Sequence, residues 1–352
     1  MLKSFRYLLF PFSLIYGGVI VLRNFLFDKN IFHSTAFNFP IICVGNIATG
    51  GTGKSPMTEY LIELLSKKYK VATLSRGYKR KTKGYAIATQ TTTALDIGDE
   101  PMQFYQKYKN EIKVAVGEER LVAIPQLLQD APDTEVIILD DGFQHRKVKA
   151  GLNIVLTDYN NLYTRDFLLP TGDLRDTKKS MQRADIIVVT KCPTNINGEE
   201  RNTILKELKI TSSQQVFFTE IFYSNPYHLF TKEKIEFGAD ADVLLIVGIA
   251  NPKPLKAFLS NQVQHYDMLK YADHHIFTIA DLQDIKQQFE KSKTANKIIL
   301  TTEKDAVRLQ KFGQELAQLP IYVLPIKQQF LFEEANIFDK LVEGFVGEFK
   351  QG

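Results

Sequence analysis

The segment 48–55, ATGGTGKS, has the residue types and spacing of a loop that binds phosphate groups. It follows the apolar run 40–45 and precedes a segment whose apolar residues recur at helical spacing, the context that such a loop requires. Lys54 can then reach the β- and γ-phosphates, and Ser55 can ligate Mg²⁺. Ala48 stands where the usual motif has its first glycine, which weakens the match without abolishing it. The expected nucleotide contacts come from Thr49, Gly50, Gly51, Thr52, Gly53, Lys54 and Ser55.

Paired carboxylates end a second apolar run, in the segment VIILDDGFQH (136–145). In phosphate-loop enzymes an acid at such a strand end holds Mg²⁺ or its water ligands. We therefore expect Asp140 and Asp141 to form a magnesium site with Ser55, although two acids at a strand end can also be solvated turn residues. ATP and Mg²⁺ are the expected cofactors.

Two classes of phosphate-loop protein would carry signature residues that this chain does not have. A GTP-dependent switch has Asn-Lys-x-Asp after a later strand, where this chain has TKCP (190–193). A membrane-partitioning ATPase has a second lysine ahead of the paired glycines, where this chain has Thr49. An ATP-dependent phosphotransferase remains. The alternatives are a membrane-associated ATPase without a small-molecule acceptor and a nucleotide-dependent scaffold that is not an enzyme.

The composition bears on partners and on cysteine chemistry. The chain has 44 Lys+Arg against 40 Asp+Glu, a net charge of +4, which does not indicate a nucleic-acid partner. Cys43 and Cys192 provide neither a disulfide framework nor the spacing of metal ligands. No obligate protein partner is evident from the sequence.

The first 30 residues are mostly apolar or aromatic, with basic positions at Lys3, Arg6, Arg23 and Lys29. The uncharged run 7–22 would be about 24 Å long as a helix at ~1.5 Å per residue, shorter than a hydrocarbon core of about 30 Å. We expect a helix that lies in one leaflet, with basic residues at the lipid headgroups. Packing on the protein's own core, a cleaved signal peptide and a full membrane span are the alternatives.

After residue 38, short β-branched runs alternate with segments of helical length, which predicts an α/β fold with a P-loop NTPase-like parallel sheet covered on both faces. A second series of such runs begins at residue 242. The segment between the two series alternates and contains turns, which predicts a hairpin. The expected organisation is a membrane-associated helical segment (1–36), a kinase core (37–213), a hairpin connector (214–240) and a second, smaller α/β lobe (241–352).

The order of motifs along the chain resembles that of the tetraacyldisaccharide 4′-kinases, the lipid A 4′-kinases of Gram-negative bacteria, over about residues 10 to 310. The motifs are VGNIATGGTGKSP, LSRGY, GDEP, VAVGEERLVA, VIILDDGFQH, LLPTGDLRD, RADIIVVTK, VGIANP, ADHHIF and TTEKDAVRL. The resemblance implies ATP-dependent phosphorylation of the 4′-hydroxyl of a membrane glycolipid, tetraacyldisaccharide 1-phosphate, to form lipid IVA. It also implies a two-lobed kinase at the cytoplasmic face of the inner membrane, held there peripherally or monotopically by its N-terminal helix.

The resemblance also implies roles for individual residues. The family's catalytic base is the aspartate of GDEP, paired with the histidine of the ADH motif, which are Asp99 and His274 here. His275 is the alternative partner. His145, with the acid pair before it, occupies a position that the family uses for metal and phosphate chemistry. Three arginines in matching motifs suit the substrate's 1-phosphate or the ATP triphosphate: Arg76, Arg120 and Arg175.

The carboxyl-terminal part of the chain is less informative. Lys304 and Asp305 follow a strand of the second series, where either lining of a cleft or capping of a helix is plausible. Beyond about residue 320 the motifs stop, and an apolar stripe predicts a helix that packs on the protein.

Overall fold

The computed structural model describes residues 6–236 and 238–349, which form two α/β lobes. The helices are α1 (Phe10–Asp28), α2 (Lys54–Leu65), α3 (Ala94–Ile97), α4 (Asp99–Tyr108), α5 (Arg120–Asp130), α6 (Gly198–Leu208), α7 (Lys253–Gln262), α8 (Ile279–Lys291), α9 (Glu303–Leu309), α10 (Gly313–Leu316) and α11 (Ala335–Glu348). The strands are β1 (Thr35–Ala36), β2 (Ile41–Asn46), β3 (Val71–Ser75), β4 (Ala86–Ile87), β5 (Ile112–Val116), β6 (Val136–Asp140), β7 (Val148–Lys149), β8 (Leu152–Asp158), β9 (Ile186–Thr190), β10 (Gln215–Tyr223), β11 (Tyr227–His228), β12 (Asp242–Val247), β13 (His265–Lys270), β14 (Lys297–Thr302), β15 (Ile321–Leu324) and β16 (Ile326–Phe330).

The larger lobe is built on a nine-stranded sheet in the order β16-β10-β9-β8-β2-β6-β3-β5-β4. Neighbours from β10 to β5 are parallel, and the edge strands β16 and β4 are antiparallel to their partners. One apolar cluster joins the sheet to α2, α4 and α11, and a second joins the opposite face to α5 and α6. Since both faces are covered, β2 and β6 are buried along their whole length.

The smaller lobe has a five-stranded sheet in the order β11-β15-β14-β12-β13. Four of its strands are parallel, and β11 pairs with β15 in the antiparallel sense. One apolar cluster packs α7 on this sheet, and another packs α8, α9 and α10. The two sheets confirm the expected α/β class with a second, smaller lobe.

The segment 214–240 links the lobes as expected, and Tyr227 pairs in the antiparallel sense with Lys234 as in a short hairpin, but β10 and β11 do not pair with each other. β10 lies between β9 and β16 in the larger sheet, whereas β11 lies at the edge of the smaller sheet. An alternating pattern identifies strands but does not specify their partners, because distant strands compete for the same pairing. Each half of the segment therefore belongs to a different sheet.

The last part of the chain returns to the larger lobe, whereas the sequence placed all of 241–352 in the smaller one. β16 pairs with β10, and Phe338 of α11 packs its ring 5.4 Å from that of Phe217 and 4.6 Å from that of Phe330. The apolar stripe of α11 predicts that this helix packs, but not on which lobe. The smaller lobe is thus an insertion, and Ser224 N donates to Pro325 O at 3.1 Å where the two connecting segments pass each other.

Helix α1 docks on the larger lobe along a narrow stripe. The Ser13 hydroxyl donates to Leu168 O at 3.0 Å and to Thr171 Oγ1 at 2.7 Å, and Asn24 Nδ2 donates to Asp176 Oδ1 at 2.8 Å. Among the described residues, the helical stretch Tyr7–Asp28 alone is long and apolar enough to cross a membrane. Its other faces expose large apolar side chains: Leu8, Phe12, Leu14, Ile15, Val19, Val21, Leu22 and Phe25.

Candidate active site

The phosphate-binding loop lies between β2 and α2, and groups from three strands hold its shape. Asn46 Nδ2 donates to the hydroxyl of Thr52 at 2.7 Å, Thr190 Oγ1 to the carbonyl of Thr52 at 2.8 Å, and Gln328 Nε2 to the carbonyl of Gly53 at 2.8 Å. Gly53 has φ +89°, and a β-carbon there would lie 2.7 Å from the Gln328 amide. The Thr52 side chain is therefore turned inward, and contacts with three strands hold the loop in place.

Asp141 is held between two cations at the end of β6. Lys54 Nζ lies 3.8 Å from Asp141 Oδ1, and the Arg175 guanidinium donates to both carboxylate oxygens, with Nη1 at 3.1 Å from Oδ2. Burial alone would raise the pKa of Asp141, but Lys54 and Arg175 outweigh it and hold that pKa below its usual range. Asp141 is therefore a fixed negative charge beside the phosphate-binding loop.

Asp140, the adjacent acid, is in a different environment. It is 2% exposed and accepts a hydrogen bond from Thr58 Oγ1 at 3.3 Å. Burial, together with the neighbouring Glu100 and Asp141 carboxylates, raises the pKa of Asp140 to about 7. A cation at this position would relieve that repulsion.

Glu100 is a site residue that the sequence analysis missed. Its Oε1 accepts hydrogen bonds from Ser55 Oγ at 3.0 Å and from Lys304 Nζ at 2.5 Å. Burial opposes ionisation, yet Lys304 and Lys54 lower the pKa of Glu100 below its usual value. The only signal in the sequence was its place directly after Asp99 in GDEP. Lys304, for which the sequence allowed either lining of a cleft or capping of a helix, thus contacts the larger lobe beside Ser55.

A magnesium ion fits the oxygen atoms at this edge. Among the described residues, no three His, Cys, Asp or Glu side chains already form a metal cluster. Mg²⁺ at phosphate sites needs only one or two carboxylates beside phosphate and water oxygens. Asp140 and Asp141 adjoin the loop that ends in Ser55, and the raised pKa of Asp140 reflects an excess of buried negative charge. The residues present therefore suit the ion.

The structure brings Asp99 and His274 together across the lobe interface, 175 residues apart in sequence, with His274 Nδ1 at 2.9 Å from Asp99 Oδ2. Arg308 Nη2 also donates to this oxygen, at 2.7 Å. Burial would raise the pKa of Asp99, but the hydrogen bonds from His274 and Arg308 lower it to about 2. His275 instead contacts Asp281, with Nε2 at 3.0 Å from Oδ2.

The structure gives the other predicted site residues different environments. Arg120 is 3% exposed, and its Nη1 donates to Gly117 O at 3.0 Å. Arg76 is exposed directly after β3. Burial and the nearby Arg120 charge lower the pKa of His145 to about 4, so the imidazole is neutral at pH 7. Of the three arginines, Arg175 makes the direct contact with the acid pair.

Comparisons with known proteins agree with the motif order. A family model described as Tetraacyldisaccharide-1-P 4'-kinase matches residues 5–345. The tetraacyldisaccharide 4'-kinase of Flavobacterium johnsoniae is 46% identical over 346 residues, 97% of this chain and 98% of that relative. The Bacteroides thetaiotaomicron protein of the same name is 43% identical over 355 residues, 97% of this chain and 93% of that relative.

A solved structure agrees over the same length. The crystal structure of LpxK from Aquifex aeolicus in complex with ATP matches with a TM-score of 0.75 at 29% identity, covering 98% of this chain and 100% of that one. The resemblance inferred from the motifs is confirmed: this chain belongs to the tetraacyldisaccharide 4′-kinase family.

Proposed function

We propose that this chain transfers the γ-phosphoryl group of ATP to the 4′-hydroxyl of tetraacyldisaccharide 1-phosphate and so forms lipid IVA in lipid A biosynthesis. The observation that carries the proposal is the placement of the Asp99–His274 pair beside the phosphate-binding loop. Glu100 bonds to Ser55 at 3.0 Å, so the adjacent Asp99 lies at the margin of the nucleotide site. Family membership supplies the acceptor, and the position of Asp99 next to Glu100, which contacts the loop, supports its proposed role as the base.

The chemistry requires little beyond positioning and charge stabilisation. Backbone N–H groups of the loop hold the phosphates, and Lys54 stabilises the charge on the transferred group. Asp99 takes the proton as the acceptor O–H bond breaks, and His274 holds the Asp99 carboxylate. The acceptor oxygen bonds to the γ-phosphorus while the bond from that phosphorus to the β,γ-bridging oxygen breaks, and ADP leaves.

Further side chains would hold the charged parts of both substrates. Ser55, Asp140 and Asp141 would hold Mg²⁺, which when bound supplies positive charge to the phosphate oxygens. Arg175, fixed against Asp141, suits the triphosphate. Arg76 and Arg120 remain candidates for the acceptor's 1-phosphate, and the neutral His145 can donate or accept a hydrogen bond near Arg120.

Helix α1 would lie in the interface of the cytoplasmic leaflet of the inner membrane. Its contacts with the larger lobe run from Ser13 to Asp28, whose Oδ1 accepts from Arg146 Nη2 at 2.6 Å. A helix bound along its length to a folded lobe cannot also cross the bilayer, whereas its exposed apolar side chains suit a leaflet. Two of the basic residues expected at headgroups bind the protein instead: Arg6 contacts Asp173 at 2.8 Å, and Arg23 donates to Gln144 O at 2.7 Å.

Transfer of label from γ-labelled ATP to tetraacyldisaccharide 1-phosphate in mixed micelles tests the proposal. We expect label in the glycolipid with the wild-type chain and its loss with Lys54→Ala. Assays without the lipid measure background hydrolysis. Free phosphate released at one rate with or without lipid would reject the proposal in favour of an ATPase that lacks a small-molecule acceptor.

A further inference from the structure

Arg308, in the last turn of α9, contacts the proposed base although the sequence analysis gave it no role. We propose that Arg308 is a positioning residue for phosphoryl transfer: it fixes one oxygen of the Asp99 carboxylate so that the other oxygen meets the acceptor hydroxyl. This inference rests on the function proposed above. It gives a residue of the smaller lobe the role of setting the geometry of the reacting carboxylate.

The contacts of Arg308 distinguish the two carboxylate oxygens of Asp99. Arg308 donates to Oδ2 twice, from Nη2 at 2.7 Å and from Nε at 3.1 Å, and His274 Nδ1 lies 2.9 Å from the same oxygen. Within the described ranges, 6–236 and 238–349, no donor is bonded to Oδ1. Because Oδ2 faces two N–H donors of Arg308 and the ring nitrogen of His274, Oδ1 is the oxygen left to receive the proton.

Arg308 is itself anchored on a buried support. Its Nη1 donates to Asp305 Oδ1 at 3.2 Å, and Asp305 is 0% exposed. The other Asp305 oxygen accepts from Gly248 N at 3.0 Å and from Thr302 Oγ1 at 2.8 Å. A planar guanidinium can contact both carboxylates at once, whereas a lysine ammonium on a flexible stem cannot reproduce that fork. Asp305 already neutralises the buried charge of Arg308, so neutralisation of that charge does not require the second contact, with Asp99.

Two other ion pairs hold α9 against the larger lobe independently of Arg308. Lys304 Nζ lies 2.5 Å from Glu100 Oε1, and Glu303 Oε1 lies 2.9 Å from Lys107 Nζ. Docking of the lobes therefore does not depend on Arg308 alone. This redundancy makes positioning separable from docking by experiment.

The test compares Arg308→Gln with Arg308→Lys in the same transfer assay, with kcat and the KM values for ATP and glycolipid measured separately. Loss of the fork misplaces the carboxylate, so we expect kcat to fall about 100-fold in Arg308→Gln and roughly tenfold in Arg308→Lys. We expect both KM values to stay within about twofold of wild type, because Arg308 contacts neither substrate in the proposed mechanism. Thermal unfolding of each variant checks its fold.

Two matched variants separate positioning from other effects of a changed charge. Glu303→Gln breaks a different contact between α9 and the larger lobe, and Lys256→Ala removes an exposed charge from α7. We expect Lys256→Ala to behave as wild type. We expect Glu303→Gln, which weakens docking of the lobes, to raise both KM values. If Arg308 serves only to dock the lobes, its variants should do the same, and that result would overturn the inference.

A kcat within about threefold of wild type in either folded Arg308 variant would also overturn the inference, because misplacing a reacting group by about 1 Å can lower the rate about 100-fold. If Arg308→Gln does not fold, Arg308→Lys, which keeps the charge beside Asp305, decides by the same criteria. A wild-type chain that transfers no label would reject the proposed function itself. Normal wild-type transfer with unaffected Arg308 variants would reject this inference alone.

Discussion

The phosphate-binding loop and the lobe interface are built in opposite ways. The loop is one contiguous segment that offers backbone groups, and strands of its own sheet fix its shape. At the interface, Asp99, His274 and Arg308 come from three distant segments and meet only as side chains, with sequence separations of 175 and 209 residues from Asp99. The comparison indicates that the nucleotide half of the site should survive separation of the lobes, whereas the half that holds the base should not.

The largest effect should come from removing the loop's lysine. Lys54→Ala should lower kcat by on the order of 10²–10³, because the transferred phosphoryl loses a fixed positive charge. Lys54 takes no part in the contact between the lobes at Asp99 and His274, so the melting temperature of Lys54→Ala should change little. Steady-state transfer and thermal unfolding check both expectations. A folded variant with a near-normal rate would break the assignment of the loop as the catalytic phosphate site.

The interface should respond as a unit. Asp99→Ala and His274→Ala should each lower kcat by roughly 10² or more, since the base is lost or misoriented. The double variant should be scarcely slower than Asp99→Ala, because His274 acts through the carboxylate that is already missing. Single and double variants measured in one transfer assay give the coupling. Fully additive losses would show that the two residues act separately.

A smaller effect concerns the stability of the contact between the lobes. Glu59 of α2 and Glu303 of α9 share the Lys107 ammonium, at 2.5 Å and 2.9 Å. Burial and the Glu303 charge raise the pKa of Glu59 to about 7, although Lys107 opposes the shift. The folded state thus binds this proton more tightly than the unfolded state. Stability from Glu59 is present below about pH 4.5 and declines as the pH rises to about 7.

Comparison of the wild type with Glu59→Gln at pH 5 and pH 8 isolates that contribution. The amide does not titrate, so the wild type should lose about 1–3 kcal/mol of stability relative to Glu59→Gln between these pH values. Unfolding midpoints of both proteins in the same buffers measure the difference. Parallel pH profiles would mean that Glu59 stays ionised in the folded chain.

The same contrast explains what the sequence could predict. The loop motif predicted its place between β2 and α2, because glycine spacing and the lysine and serine that follow encode it locally. The pairing of Asp99 with His274 came only from the family resemblance, since no local pattern predicts a contact across 175 residues. Glu100 and Arg308 were missed because an acid beside a motif residue and an arginine on a short helix have many ordinary surface roles.

The errors in the fold have a related cause. Runs of apolar residues identified strands β2, β6 and β12 with the correct type. The strands β10 and β11 were assigned without their partners, and β16 lies in a segment that was predicted to be helical. Strand pairing and helix docking depend on complementary surfaces far away in sequence. The stripe on α11 was correctly expected to pack, and Phe338 and Val342 are buried, but it packs on the larger lobe.

The return of the chain to the larger lobe constrains how the protein can be made. Phe330, Phe338 and Val342 complete the apolar layer that also contains Leu61 of α2. These aromatic and aliphatic residues follow the smaller lobe in the chain, so the larger lobe, which begins first, is completed only after the smaller lobe has been synthesised. Helix α1 precedes both lobes in the chain. The nascent chain therefore presents its apolar helix to its surroundings long before a complete core exists behind it.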